Sequence, residues 1–102
     1  MPSIMLVDEI ATSRQELARA MEAEGFHVVP TDSAASAVRE LWEGSFIVVF
    51  IASGVEGKNA QHLSDQLRDL APEIETIIYG KNDEPRHLVR KACEIRDGVA
   101  AA

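Results

Sequence analysis

The sequence predicts an α/β protein with a parallel sheet covered by helices on both faces. Four short apolar runs alternate with four stretches of helical periodicity, and glycine or proline separates most of them. The 102 residues suffice for one globular domain and no second one. Strands that alternate with helices of this length imply right-handed crossovers between parallel strands. We therefore expect the order βαβαβαβα in a three-layer sandwich.

The first strand and helix are predicted from residues 4–25. Residues 4–7 are apolar throughout, which suits a strand covered on both faces. Ser13 and Glu16 have the spacing of a capping box, which predicts that the first helix begins at Ser13. Gly25 is available to end this helix.

The second strand and helix follow directly. Residues 26–29 form a short strand that we expect to stop at Pro30, and either Asp32 or Ser33 is placed to cap the next helix. Gly44 ends this helix. Its inward face is predicted from helical spacing to carry Ala34, Ala37, Val38 and Leu41. Trp42, at the end of the same helix, is expected to cover the edge of the core.

The second half repeats the alternation. Residues 46–51 are the most hydrophobic strand candidate and belong in the centre of the sheet. A helix over residues 59–70 is expected to bury Ala60, Leu63, Leu67 and Leu70. Residues 76–79 form the fourth strand, and Asp83 is placed to cap a fourth helix that ends at residues 97–98.

The composition excludes several classes of function. There are 17 acidic and 10 basic residues, so the net charge of -7 argues against a general affinity for nucleic acid. The longest apolar run, residues 46–52, is far shorter than the ~20 residues of a membrane span, and no secretory signal begins the chain. We expect a cytoplasmic protein. The single cysteine, Cys93, permits no internal disulfide.

The carboxyl ends of the predicted strands carry the candidate functional residues. Ligands of open parallel sheets bind at these ends. Asp8 and Glu9 follow the first strand, Phe50 lies near the end of the third, Ser53 follows it, and Gly80 follows the fourth.

These residues, in this order, resemble the receiver domain of two-component response regulators. The Gly-Phe-His-Val run of the second strand and the Gly-Val-Glu-Gly run after the third strand belong to the same resemblance, which covers nearly the whole chain. It implies a flavodoxin-like fold with strand order 2-1-3-4. It also implies that residues 1–102 are a single domain that lacks the last strand and helix of the family's fold.

The resemblance further implies a site that has lost its chemistry. In the family, an acidic pair and an aspartate on the third strand hold magnesium, and that aspartate accepts a phosphoryl group from a histidine kinase. Asp8 and Glu9 match the acidic pair, but Phe50 stands at the phosphoacceptor position and Gly80 replaces the family's threonine or serine. The lysine of the fifth strand has no counterpart. No cofactor is therefore required, and magnesium binding by the remaining pair is expected to be weak.

These departures predict a degenerate receiver that acts by binding proteins and is not an enzyme. The partner is either another signalling component or an output domain of a larger regulator. Four residues of the fourth helix are the candidate contact surface, namely Arg86, His87, Arg90 and Lys91. A homodimer is expected through this helix or through the edge of the fourth strand, which has no predicted neighbour on one side.

Two other hypotheses remain open. A phosphorelay receiver with an unconventional acceptor would use Ser53 or Asp8, although a serine without an adjacent base is a poor nucleophile. An unrelated nucleotide-binding protein of flavodoxin-like fold is the second. Neither of the glycine-rich phosphate-binding motifs, G-x-G-x-x-G and G-x-x-x-x-G-K-[ST], is present in the chain.

Overall fold

The computed structural model describes residues 1–55 and 59–101, the last three of them by backbone alone. The strands are β1 (Ser3–Val7), β2 (His27–Thr31), β3 (Val48–Ala52) and β4 (Glu75–Tyr79). The helices are α1 (Ala11–Glu22), α2 (Ala34–Glu43), α3 (Ala60–Leu70) and α4 (Pro85–Ala101). The predicted alternation of strands and helices is confirmed.

The sheet is parallel throughout, and its strand order is β2-β1-β3-β4. Leu6 of β1 lies between Pro30 of β2 and Phe50 of β3, and Phe50 pairs in turn with Ile77 of β4. This order confirms the prediction of 2-1-3-4. Within the described residues, β2 and β4 are therefore the two edge strands.

Alternate residues of the central strands feed two separate hydrophobic clusters. In β1, Met5 and Val7 face α2 and α3, whereas Ile4 and Leu6 face α1 and α4. The α2/α3 cluster is completed chiefly by Ala37, Val49, Ile51, Leu63 and Leu67. The α1/α4 cluster is completed chiefly by Leu17, Met21, Phe26, Val48, Phe50, Leu88 and Ala92. Each face of the sheet thus carries two helices, as the period-2 pattern of a covered strand requires.

The predicted start of α1 is wrong. The helix begins at Ala11, and its N-cap residue, Ile10, makes no side-chain capping bond. The hydroxyl of Ser13 donates instead to the carboxylate of Asp8 at 2.6 Å. The hydroxyl of Ser13 is therefore used as a donor to the buried carboxylate of Asp8 and not as a helix cap, although its spacing from Glu16 is that of a capping box.

Other ends of elements differ in smaller ways. β2 continues through Pro30, which an edge strand tolerates. Asp83 does not cap α4; its carboxylate accepts the N–H of Gly80. α4 also continues past Gly98, and residues 99–101 are helical.

The caps of α2 and α3 follow the rules of helix termini. Ser33, rather than Asp32, caps α2 by accepting the N–H of Ser36, and Gly44 is the C-cap. Asn59 caps α3 by accepting the N–H of His62.

Leu70, which was expected to be inward, and Trp42, which was expected to cover the edge of the core, both lie on the surface. Leu70 is 41% exposed and Trp42 is 74% exposed. No helix in the described part of the chain is long and apolar enough to cross a membrane.

Candidate functional site

A pocket lies where the carboxyl ends of β1, β3 and β4 meet. Its volume is about 250 Å³. Its walls are formed by Asp8, Glu9, Ile10, Ser13, Ala52, Ser53, Gly54, Tyr79, Gly80 and Lys81. The structure thus brings together Asp8, Glu9, Ser53 and Gly80, as the sequence predicted from their places after the strands.

Asp8 is the buried polar centre of this pocket. Its side chain is 3% exposed. Oδ1 accepts the N–H of Ile10 at 2.9 Å, and Oδ2 accepts the hydroxyls of Ser13 at 2.6 Å and Tyr79 at 3.0 Å. The backbone carbonyl of Asp8 accepts a further bond from the guanidinium of Arg14 at 2.8 Å. Three hydrogen bonds from the protein therefore offset the cost of burying this carboxylate.

The hydrogen bond of Tyr79 joins the two residues of the site that are farthest apart in sequence among its bonded pairs. Tyr79 is the last residue of β4, and its hydroxyl reaches past β3 to the carboxylate that follows β1. Ala52, its partner in register on β3, has a side chain small enough for the ring to pass. Burial raises the pKa of Tyr79, and the charge and hydrogen bond of Asp8 raise it further. The phenol therefore remains a donor to Asp8 at every pH near neutrality.

The open side of the pocket carries groups of both charges. Glu9 is exposed, and its Oε1 lies 3.8 Å from where a Cβ on Gly54 would stand. Ser53 is exposed too, and its Oγ lies 3.6 Å from the corresponding point on Gly80. Lys81 is exposed at the rim. Glycines at these two positions therefore keep the mouth of the pocket free of side-chain bulk.

Phe50 does not belong to this pocket. It is fully buried in the α1/α4 cluster, in the middle of β3, and pairs with Leu6 and Ile77. The residue of β3 that lines the pocket is Ala52, two positions further along. Phe50 is thus a core residue, and the strand end that faces Asp8 is apolar.

The donor set does not fit a magnesium site. Three of the roughly four lone-pair positions of the Asp8 carboxylate accept protein hydrogen bonds. Magnesium keeps several of its waters and binds through free carboxylate oxygens, and the hydrogen-bonded carboxylate of Asp8 has few acceptor positions left to offer. Glu9 is exposed beside it, and the described residues contain no group of three or more metal-ligating side chains.

The basic residues of α4 lie on another part of the surface. The Arg86 side chain is 75% exposed, and its Nε donates to Glu84 at 2.6 Å. The Nε2 of His87 lies 4.0 Å from the same carboxylate, while Arg90 and Lys91 are exposed. Glu84 therefore offsets part of the positive charge at the start of the helix.

Sequence reasoning missed Tyr79 and Ser13 as members of the site. Tyr79 carried a usable signal, because it is the last residue of a strand whose carboxyl end faces the acidic pair. Ser13 was assigned to a helix cap, where the same hydroxyl would have been used. Glu56, the acidic residue of the Gly-Val-Glu-Gly run, lies outside the described residues.

Comparison with solved structures places this fold among receiver domains. A CheY-like receiver domain protein from Methanospirillum hungatei JF-1 matches with a TM-score of 0.89 and 14% identity, over 100% of this chain and 99% of that chain. A receiver domain protein from Clostridium thermocellum matches with a TM-score of 0.88 and 14% identity, over 99% and 98% of the two chains. The sequence itself matches no protein-family model and no curated protein.

A third structure is the signal receiver domain of an HD domain-containing protein from Pseudomonas fluorescens Pf-5. It matches with a TM-score of 0.86 and 13% identity, over 98% of this chain and 90% of that chain. The chain therefore has the fold of response-regulator receiver domains, at sequence identities of 13–14% to these three structures.

Proposed function

We propose that this protein is a signal-transduction module with a receiver fold that acts by binding other proteins and does not accept a phosphoryl group on β3. One observation carries the proposal. The carboxylate of Asp8, which matches the first acid of the family's metal-binding pair, is buried and hydrogen-bonded by Ser13, Ile10 and Tyr79.

The end of β3 supports the same proposal. Phosphoryl transfer to a carboxylate needs a nucleophilic oxygen and a cation that neutralises the donor. Ala52 has no nucleophile, and Phe50 is buried two residues away. A module that lacks both parts signals by contact, so we assign it no enzymatic activity and no required cofactor.

The comparisons bear on how such a module is used. One similar structure is the receiver domain of an HD domain-containing protein, and another match covers only 28% of NtrX from Brucella abortus. Receiver folds thus occur within longer chains. By analogy, this domain is a part of a cytoplasmic regulator whose partner is its own output domain or another signalling protein.

Two surfaces are proposed for protein contact: the basic residues of α4 and the free edge of β4. Arg86, His87, Arg90 and Lys91 form an exposed stripe suited to an acidic surface. The net charge of -7 opposes nucleic acid as a partner of this domain.

The test is phosphorylation with a small phosphodonor and magnesium, read by intact-protein mass spectrometry. We expect no gain in mass, and no chemical-shift change around Asp8 and Ala52 when beryllofluoride and magnesium are added. A stoichiometric phosphoryl adduct would refute the proposal. Ser53→Ala and Asp8→Asn variants would then identify an unconventional acceptor, because only the variant that lacks the acceptor loses the adduct.

A further inference from the structure

The two edges of the sheet differ in their capacity to pair with another strand. In β2, the N–H of His27 donates to the C=O of Pro2, and the C=O of Thr31 accepts the N–H of Asp8, at the two ends of β1. Because backbone groups alternate along a strand, Val28 and Pro30 direct theirs away from the sheet. Pro30 has no N–H to offer at this outward position. The β2 edge is therefore blunted in the way that edge strands resist pairing.

The β4 edge carries no such block. The N–H of Glu75 donates to the C=O of Ile47, and the C=O of Tyr79 accepts the N–H of Ser53, so these residues face β3. Because backbone groups alternate along a strand, Thr76 and Ile78 direct their N–H and C=O groups outward. Gly80 is the next residue in this series, but its N–H donates to the carboxylate of Asp83 and its C=O accepts the N–H of Asp83. Its backbone groups are therefore already hydrogen-bonded.

We propose that the β4 edge pairs antiparallel with the same edge of a second copy of this chain, about a two-fold axis at Ile77. In this register, Thr76 of each copy lies opposite Ile78 of the other. Opposite residues of this type exchange both of their hydrogen bonds, so the pairing satisfies every outward N–H and C=O of Thr76 and Ile78. The proposal rests on the proposed function only in assigning protein contact to this domain.

Side chains at this edge favour a second copy as the occupant. Ile78 is 38% exposed, and the pairing brings it beside Thr76 of the second copy on the same face of the joined sheet. At each end of the ladder, the acidic residues Glu73 and Glu75 approach Lys81 of the other copy. All three are exposed, and none forms an ion pair within the described residues. In this register, the acidic end of the edge in one copy therefore lies beside the basic end of the edge in the other.

The test is sedimentation velocity of the full chain over a range of concentrations. We expect a concentration-dependent dimer that Ile78→Lys abolishes, because this change places two like charges at diagonal positions on the same face of the joined sheet and removes the contact of Ile78 with Thr76 of the second copy. Lys81→Glu should weaken dimerisation by about tenfold, and adding Glu73→Lys to that variant should restore most of the loss. Thermal unfolding of each variant, followed by circular dichroism, confirms that it is folded.

Arg39→Glu on α2 is the matched control, because it makes the same change of charge on an exposed side chain away from the edge. We expect it to leave the dimer unchanged; a loss of dimer in this variant, or none in Ile78→Lys, would overturn the proposal. A chain that stays monomeric up to about 1 mM would also overturn it. A monomeric chain without a phosphoryl adduct would refute this interface alone, and a dimer that is phosphorylated would refute the proposed function alone.

Discussion

The hydroxyl of Tyr79 supplies to Asp8 part of what a bound cation supplies to an acidic pair in an open site. An ionised carboxylate that is nearly removed from water needs hydrogen-bond donors or positive charge around it. Tyr79, Ser13 and the N–H of Ile10 are those donors here. At the scale of single residues, the site is therefore closed by internal hydrogen bonds that join β1 to β4.

Raising the pH should test the bond between Tyr79 and Asp8. The pKa of Tyr79 is raised above its ordinary value of 10.0, chiefly by burial. Tyrosine therefore ionises in the unfolded chain first, so its contribution to stability is complete below about pH 10 and is lost as the pH rises through the folded pKa. We expect the free energy of unfolding to fall by up to about 1.4 kcal/mol per pH unit above pH 10.

Urea unfolding at several alkaline pH values measures this loss, and Tyr79→Phe is its control. Because Tyr79 is the only tyrosine, tyrosinate absorbance reports its ionisation directly. The absorbance should develop together with unfolding. Tyrosinate that forms in the folded protein near pH 10, or an equal loss of stability in Tyr79→Phe, would contradict the prediction.

An aspartate at position 50 and an aspartate at position 52 of β3 should differ in their effect on folding. Phe50→Asp buries a charge in the α1/α4 cluster, so we expect it to cost more than the roughly 3–5 kcal/mol of a Phe→Ala change and to unfold the chain. Ala52→Asp instead adds a third acid at the pocket, beside Asp8 and Glu9. This variant should fold with reduced stability and gain stability when magnesium is added.

Thermal unfolding with and without magnesium chloride checks this contrast, and wild type should show no specific shift. An equal magnesium effect in wild type and Ala52→Asp would mean that the acidic pair already binds the ion. The resemblance places Phe50 at the phosphoacceptor position, whereas the residue of β3 that lines the pocket is Ala52. The two positions lie within one apolar run, so the sequence alone does not show which of them faces the pocket.

At the scale of elements, the sequence was most informative where one local rule acted alone. Ser33, one of the two residues predicted to cap α2, begins this helix, and Gly44 ends it as predicted. Local rules failed where a tertiary contact competed for the same group. The hydroxyl of Ser13 donates to Asp8, and the carboxylate of Asp83 accepts the N–H of Gly80. Neither side chain therefore caps the helix for which it was predicted.

The N-terminus of α2 offers a direct test of one capping assignment. The sequence allowed either Asp32 or Ser33 as the cap, and the structure assigns the role to Ser33, whose Oγ accepts the N–H of Ser36 at 3.2 Å. Ser33→Ala should lower the free energy of unfolding by about 1 kcal/mol. Asp32→Ala, the matched control one residue away, should change it by less than about 0.5 kcal/mol. Urea denaturation measures both, and a larger loss in Asp32→Ala would reverse the assignment.

At the scale of the whole molecule, the alternation of apolar runs and helical stretches predicted the parallel sheet and its two-sided core, whereas the strand order 2-1-3-4 was predicted only from the resemblance to receiver domains. β1 and β3 were predicted as continuous apolar runs, and their alternate residues serve the two clusters. Surface positions were less predictable. Leu70 satisfies the spacing of an inward face and Trp42 adjoins one, yet both side chains are exposed.

The shared central strands should make the two clusters unfold as one. Leu6 and Val7 are neighbours in β1, yet Leu6 packs in the α1/α4 cluster and Val7 in the α2/α3 cluster. Losing either cluster would expose one face of the same strands, so neither cluster is stable alone. Leu63→Ala and Leu17→Ala, which truncate fully or nearly fully buried side chains on opposite faces, should each lower the free energy of unfolding by about 2–5 kcal/mol.

Urea titrations followed by methyl NMR distinguish one unit from two. Signals of Leu6 and Val7 should disappear at the same urea concentration in wild type, and each truncation should move both signals together. If Leu17→Ala moved the Leu6 signal but left that of Val7 in place, the clusters would be separate units. A common transition follows from the sheet itself, because each central strand has one backbone and both of its faces depend on it.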